Sequence, residues 1–172
     1  MRLSAITSAA TAIMCIASAS TAVAQSGGND SSPIQYFDGQ VIRNAMEPKG
    51  GTVEERTGNN GSTFYLVNYD GLKMLAVPSS CKPDKTRCIG LGIAVIYRRS
   101  DSMSDAEILT EINKFNRSYD FPKAVMNTNG SVSITRYTIA DHGSNLGNLR
   151  AEFTNLAALA KKYDAQITAA TK

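Results

Sequence analysis

Asp141, His142 and Ser144 bring the three side-chain types of a hydrolase triad into one short stretch of the sequence. A triad requires each side chain to reach the next one through space, and residues this close in sequence rarely do so. Asp141 and Ser144 are better interpreted as turn and helix N-cap residues, and His142 as an exposed loop residue. We therefore predict no catalytic residue, and an envelope hydrolase stays as a minor alternative.

The thiols of Cys81 and Cys88 could form a disulfide, bind a metal ion or act as a redox pair. A metal site would need further ligands, and the single histidine is far away in the sequence. Redox pairs usually have two residues between the cysteines, whereas this pair encloses the longer polar segment KPDKTR. The sequence predicts a structural disulfide between Cys81 and Cys88, provided that the compartment is oxidising, and no metal or cofactor site.

The N-terminus has the anatomy of a secretory signal. Arg2 supplies a positive charge, and an uncharged, alanine-rich run follows from Leu3 to Val23. Ala22-Val23-Ala24 then provides small side chains at the positions that a signal peptidase reads, which predicts cleavage between Ala24 and Gln25. A membrane-spanning anchor would need about 20 strongly apolar residues, and this run is diluted by serine and threonine. Lipidation of Cys15 is disfavoured by bulky Met14.

The chain is therefore predicted to have four segments. They are a signal peptide at 1–24, which is cleaved off, a flexible linker at 25–37, a folded domain at 38–164 and a C-terminal tail at 165–172. Removal of Arg2 leaves 17 basic and 15 acidic residues. This balance argues neither for nor against nucleic acid as a partner, but export argues against it, and no stable membrane anchor remains after cleavage. We expect a periplasmic or secreted protein.

Hydrophobic periodicity predicts an α+β domain. Asp38 starts a short helix, and the Ser104–Glu107 capping box starts a second one that runs through Arg117. A third helix starts near Ser144 or Asn145. The predicted strands are 52–56, 62–68, 72–77, 89–97, 123–126 and 131–139, which gives an order of helix, antiparallel strands, helix, hairpin and helix.

Two strands carry unusual patterns. Between Ile89 and Tyr97, large side chains alternate with Gly90, Gly92 and Ala94, and we expect a helix to pack closely on the small-residue face. In the strand from Ser131 to Ile139, regular alternation would point Val132 and Ile134 to one face of the sheet. It would point Tyr137 and Ile139 to the opposite face. This change of phase predicts a bulge near Thr135-Arg136.

Two polar sets could recognise a ligand. Lys82, Lys85, Arg87, Arg98 and Arg99 could form a basic patch that meets an acidic partner or an anionic membrane surface, although such runs usually only solubilise a surface. Asn113 and Asn116 lie three residues apart on a helix that otherwise serves the core. They could form a recognition spot, but we favour hydrogen bonding of Asn116 to backbone groups.

Four features together resemble the YbjN family of bacterial sensory transduction regulators. They are the strand that ends at Cys81 with Cys88 opening the next strand, the helix end Ile112-Asn113-Lys114-Phe115-Asn116-Arg117, the hairpin entry Phe121-Pro122-Lys123-Ala124-Val125-Met126 with Asn129-Gly130 at its turn, and Asp141-His142-Gly143 before the last helix. The resemblance spans Asp38 to Tyr163. This chain departs from the family pattern at Phe115, where tryptophan is usual, and at Pro122 and His142, where glycine is usual.

The resemblance implies a fold similar to that of type III secretion chaperones: a curved antiparallel sheet of five or six strands with helices mainly on one face. It also implies a noncatalytic role as an accessory, regulatory or chaperone-like protein-binding module. We expect a protein partner on the open sheet face or an edge strand, with residues of the strands from Phe64 to Val77 as candidate contacts. A homodimer is suggested by analogy with the chaperones. A small-ligand carrier is the alternative function.

Overall fold

The computed structural model describes residues 29–84, 87–141 and 143–171. Within these ranges the chain forms three α-helices and eight strands. In chain order they are β1 (Pro33–Ile34), α1 (Gly39–Met46), β2 (Thr52–Thr57), β3 (Thr63–Tyr69), β4 (Leu72–Cys81), β5 (Cys88–Tyr97), α2 (Asp105–Ser118), β6 (Lys123–Met126), β7 (Val132–Ile139), β8 (Ser144–Asn145) and α3 (Leu146–Ala170).

Six of the strands form one antiparallel sheet in the order β2-β3-β4-β5-β7-β6. β4 and β5 therefore lie at the centre, and β2 and β6 are the edge strands. Short turns join most neighbours, and the tightest one places Asp70 at φ 51° and Gly71 at φ 77°. Positive φ at both residues is the geometry that an Asp-Gly hairpin turn favours.

The helices begin at the predicted caps. The Asp38 carboxylate accepts a hydrogen bond from the Val41 backbone N–H at 2.8 Å. Ser104 and Glu107 form a complete capping box, in which each side chain accepts a hydrogen bond from the other residue's backbone N–H. Asn145, one of the two predicted starts, caps α3. Each cap satisfies backbone donors that a helix end leaves unpaired.

All three helices pack on the same face of the sheet. α1 covers β2 and β3, α3 covers β5 and β7, and α2 lies against β6. The apolar side chains that the sheet directs toward the helices are buried, among them Val67, Met74, Leu91, Ile93 and Ile134. The prediction of an α+β domain with an antiparallel sheet of five or six strands and helices mainly on one face is confirmed, and the sheet has six strands.

The described part of the predicted linker, residues 29–37, belongs to the fold. Pro33 and Ile34 pair with β8, and Ile34 and Phe37 are buried in the core. The linker prediction is wrong here because these two side chains remove apolar surface from water when they dock. The predicted signal peptide 1–24 and the cleavage site at Ala24 and Gln25 lie outside the described residues.

The described part of the predicted tail, residues 165–171, is also structured. α3 continues to Ala170, and Ile167 packs against the core. Near its start, α3 is tied to α1 by Arg150, whose guanidinium donates to the backbone oxygens of Ala45 at 3.1 Å and Asn44 at 2.9 Å. These carbonyls lie in the last turn of α1, where helix carbonyls lack partners within the helix.

Two strand predictions need correction. The β5–β7 ladder is continuous from Tyr97↔Val132 to Gly90↔Ile139, so it contains no bulge near Thr135-Arg136. The change of phase arises because Tyr137 and Ile139 point away from the helices. The helices also pack on the large-residue face of β5, so Gly90, Gly92 and Ala94 face the opposite way.

Candidate protein-interaction surface

The sheet face opposite the helices is the candidate functional surface, and we call it the open face. Residues on this face follow from the strand register, since side chains alternate between the two faces of a sheet. They are Thr52, Glu54 and Arg56 on β2, Phe64, Leu66 and Asn68 on β3, Lys73, Leu75, Val77 and Ser79 on β4, Gly90, Gly92, Ala94 and Ile96 on β5, Ser133, Thr135, Tyr137 and Ile139 on β7, and Lys123 and Val125 on β6.

Five large apolar side chains of the open face are exposed. Their exposed fractions are 54% for Ile96, 53% for Tyr137, 50% for Ile139, 48% for Val125 and 37% for Val77. Single exposed apolar side chains are normal, but a group on one sheet face is typical of an interaction site.

A trough runs along the middle of the open face. Its open floor is Gly92 and Ala94 of β5, with Gly90 at one end and the exposed Ile96 side chain at the other. Val77 on β4 and Tyr137 on β7 stand on either side of Gly92, because both residues pair with it. A Cβ placed on Gly92 would meet only the Val77 carbonyl oxygen, at 3.8 Å, so the space above this residue is open.

Tyr137 closes one end of the trough. Its hydroxyl lies over Gly90, where a Cβ would collide with it. Ser79 donates a hydrogen bond to this hydroxyl at 3.3 Å, and the Ser80 hydroxyl lies 3.2 Å from it. The contact with Ser79, and after it the contact with Ser80, lowers the pKa of the Tyr137 hydroxyl. The three hydroxyls fix the position of an otherwise exposed aromatic ring.

The predicted disulfide lies at the same end of the sheet. In the structure Cys81 and Cys88 are joined, and they pair directly across β4 and β5. Ser80, which precedes Cys81, has φ 51°, an uncommon conformation for a residue with a Cβ. The disulfide therefore closes the β4–β5 connection next to the hydroxyls that hold Tyr137.

Edge strand β6 is closed by a side chain. The Asn116 carboxamide accepts a hydrogen bond from the Ala124 backbone N–H at 2.7 Å and donates one to its carbonyl oxygen at 3.0 Å. It thus takes the place of a further strand. This geometry agrees with the predicted backbone role of Asn116, and Asn113 is exposed on the same helix.

Edge strand β2 carries charge along its length. Glu54, Glu55 and Arg56 are consecutive and exposed, and Glu54 pairs with Arg56 at 2.5 Å. Charged edge strands discourage pairing with a further strand. The open face is therefore better suited to a partner than either edge.

The predicted basic patch is divided in the structure. Lys82 and Arg87 flank the β4–β5 connection, whereas Arg98 and Arg99 follow the far end of β5. A strand of ten residues spans about 30 Å, so the two groups do not form one surface. Arg99 is also engaged by Asp105 at 2.8 Å. Lys85 lies outside the described residues.

Two cavities bear on the predicted alternatives. A cleft of about 660 Å³ lies beside the disulfide, and its lining includes the rings of Phe37 and Tyr65 and the carboxylates of Asp38 and Glu55. Burial, followed by the nearby Glu55 carboxylate, raises the pKa of Tyr65. A smaller cavity of about 120 Å³ is lined mainly by apolar residues and includes Tyr163.

The residues of the hydrolase hypothesis do not assemble into a described site. Asp141 lies in an exposed turn, Ser144 belongs to β8, and His142 is outside the described residues. Across the described ranges, no group of three histidine, cysteine or carboxylate side chains could hold a metal ion. No helix among the described residues has the length and apolar character needed to cross a membrane.

Comparison with protein families assigns the chain. Residues 38–169 match the model of the YbjN family, described as "Putative bacterial sensory transduction regulator". The chain belongs to the YbjN family. The match covers most of the chain and includes every strand of the six-stranded sheet. The predicted resemblance is thereby confirmed, and membership of a regulator family supports a role in regulation or protein binding.

A solved structure shares the fold of this YbjN-family protein. It is the crystal structure of an uncharacterized protein from Methanothermobacter thermautotrophicus, with a TM-score of 0.57 and 16% sequence identity. The similarity covers 77% of this chain and 98% of that one. At this identity the likeness concerns the fold alone. A search among curated proteins found no match.

Sequence reasoning located the open face only in part. It named the strands from Phe64 to Val77, which contribute one side of the face. It missed Tyr137, Ile139 and Val125, because their role depends on which strands pair with β5. The available signal was that Tyr137 and Ile139 alternate out of step with Val132 and Ile134. This pattern was attributed to a bulge instead of to an outward-facing apolar pair.

Proposed function

We propose that this YbjN-family protein is an exported, noncatalytic regulatory or chaperone-like module of the bacterial envelope that binds a protein partner on its open face. The signal-like N-terminus supports export, and the disulfide between Cys81 and Cys88 suits an oxidising compartment. Family membership supports the regulatory role.

The observation that carries the proposal is the group of exposed apolar side chains on the open face. All three helices pack on the other face, so these side chains are not used in the core that the helices form. Neither edge of the sheet favours an added strand: Asn116 satisfies backbone groups of β6, and β2 carries charged side chains. A protein that recognises its partner through this domain therefore has the open face as its best apolar contact surface.

Site-specific photo-crosslinking in the native envelope tests the proposal. A photoreactive residue in place of Ile96 probes the open face, and one in place of Leu109 on α2 is the matched control, because both side chains are large, apolar and exposed. We expect a discrete protein adduct from position 96 and none from position 109. Equal labelling from both positions, or adducts with lipid alone from position 96, would contradict the proposal.

A small-ligand carrier is the second candidate function. The cleft beside the disulfide has a volume within the range of ligand sites, about 300–1,000 Å³. Native mass spectrometry of protein purified from its own envelope separates the two functions. A bound small molecule together with no protein adduct at position 96 would favour the carrier.

A further inference from the structure

We propose that the occupant of the trough is an acidic amphipathic helix of a partner protein. This inference rests on the proposed function, since it names the partner chemistry of the same open face. It depends on three independent features: the shape of the trough, the charge around it and the closure of the sheet edges.

The shape of the trough fits a helix. Neighbouring strands lie about 4.8 Å apart, so the β4 and β7 side chains on either side of β5 are separated by about 10 Å. The side chains on β4 and β7 narrow this gap, so the trough receives the apolar side chains of a helix whose axis lies above the sheet. Glycine at position 92 and alanine at position 94 allow the helix to approach the sheet closely, with Val77 and Tyr137 beside it.

The charge of the open face selects an acidic partner. The face contains three cations, Arg56, Lys73 and Lys123, but a single anion, Glu54. Glu54 is already paired with Arg56. Lys73 and Lys123 therefore leave a positive field on both sides of the trough, which attracts carboxylates. A second copy of this chain would bring like charges together, so it is a poorer occupant.

The closed edges favour a helix over an added strand. A partner strand would need free backbone groups at an edge, but Asn116 occupies those of Ala124 on β6. The charged β2 strand discourages the same pairing. A helix satisfies its own backbone hydrogen bonds, so it can lie on a sheet face without an edge.

Two synthetic helical peptides test the inference. Both present one stripe of leucine and alanine, and the remaining positions are glutamate in the acidic peptide and lysine in the basic peptide. Calorimetric titration of the mature chain at low and physiological salt gives their affinities. We expect the acidic peptide to bind at least tenfold more tightly than the basic one, with an affinity that falls as salt rises.

Three variants locate the binding. Gly92→Leu fills the trough at a position with open space, and we expect at least a tenfold loss of affinity. Ala165→Leu adds the same side chain to the exposed side of α3 and should bind as the wild type does. The double variant Lys73→Glu, Lys123→Glu should reverse the preference between the two peptides. Circular dichroism melts verify that each variant is folded.

Several outcomes would overturn the inference. They are no binding of the acidic peptide, equal binding by wild type and Gly92→Leu, and an unchanged preference in the charge-reversed variant. A mature chain that dimerises in sedimentation analysis, with the dimer lost in Gly92→Leu, would show a second copy instead. A protein adduct at position 96 whose labelled segment is neither acidic nor helical would overturn the inference but leave the proposed function standing.

Discussion

Tyr97 and Tyr163 show how single side chains stabilise the helix layer. The Tyr97 hydroxyl donates a hydrogen bond to the Ala160 carbonyl oxygen at 2.8 Å, which ties β5 to α3. The Tyr163 ring lies edge-on to Phe115 at 5.4 Å. Burial raises the pKa of both tyrosines to about 12, with smaller contributions from Asp164 at Tyr97 and from Glu111 at Tyr163.

These raised pKa values predict a loss of stability in alkali. An unfolded tyrosine ionises near pH 10, whereas the folded ones ionise near pH 12. The unfolded state therefore releases protons first, so stability is fully present below pH 10 and falls as the pH rises from 10 to 12. Urea unfolding at pH 8, 10 and 11 measures this fall.

Tyr163→Phe isolates one of the two contributions. The Tyr163 hydroxyl is buried and has no hydrogen-bond partner among the described residues, so phenylalanine keeps the ring contacts and removes only the ionisable group. We expect the variant to be at least as stable as the wild type at pH 8 and to lose less stability by pH 11. An equal loss in both proteins would contradict the assignment.

Some residue roles could be derived from the sequence. Asp38, Ser104 and Glu107 act as predicted because a cap depends only on residues a few positions apart. The role of Arg150 could not be derived, because it joins α3 to α1 over a separation of about a hundred residues. The separation of Lys82 from Arg98, by contrast, could be derived from the sequence, because the predicted strand at 89–97 already lies between them.

At the scale of elements, hydrogen bonding of Asn116 to edge strand β6 determines whether another strand can be added to the sheet. β6 has four residues and lies at an edge, where unpaired backbone groups would recruit further strands. Asn116 reaches across from α2 and satisfies Ala124. Its neighbour Asn113 is exposed on the same helix and provides a matched control.

Asn116→Ala is predicted to destabilise the domain and to open this edge. The substitution leaves two backbone groups of β6 without their partner, which costs about 1–3 kcal/mol. Asn113→Ala should change the free energy of unfolding by less than about 0.5 kcal/mol, since it alters an exposed helix position. Urea unfolding measures the difference, and light scattering detects association through the freed edge. Equal stability of the two variants would show that Asn116 does not close β6.

The strands of the six-stranded sheet were predictable, but their order in the sheet was not, and the short strands β1 and β8 were missed. Alternating apolar residues and Gly or Asp-Gly turns gave strand positions to within a few residues, except that β4 continues through Cys81. Which face receives the helices depends on the combined burial of every strand. The small-residue face of β5 could therefore be recognised in the sequence, but it was assigned to the wrong side.

At the scale of the whole molecule, the two sides of the sheet have different tasks. The helix side contains the core, and the open side displays exposed apolar side chains with two lysines and an ion pair. A sheet covered on both faces would have no comparable surface. The family assignment and this division together support a binding module, whose partners must share its compartment.

Export is the claim on which both the disulfide and the choice of partner depend. The intact mass of the protein from its native cells, treated with a thiol-alkylating reagent without reduction, measures it most directly. We expect a chain that begins at Gln25, takes up no alkyl group and is two hydrogens lighter than its free-thiol form. A chain that still begins at Met1, or one with alkyl groups on both Cys81 and Cys88, would contradict the account.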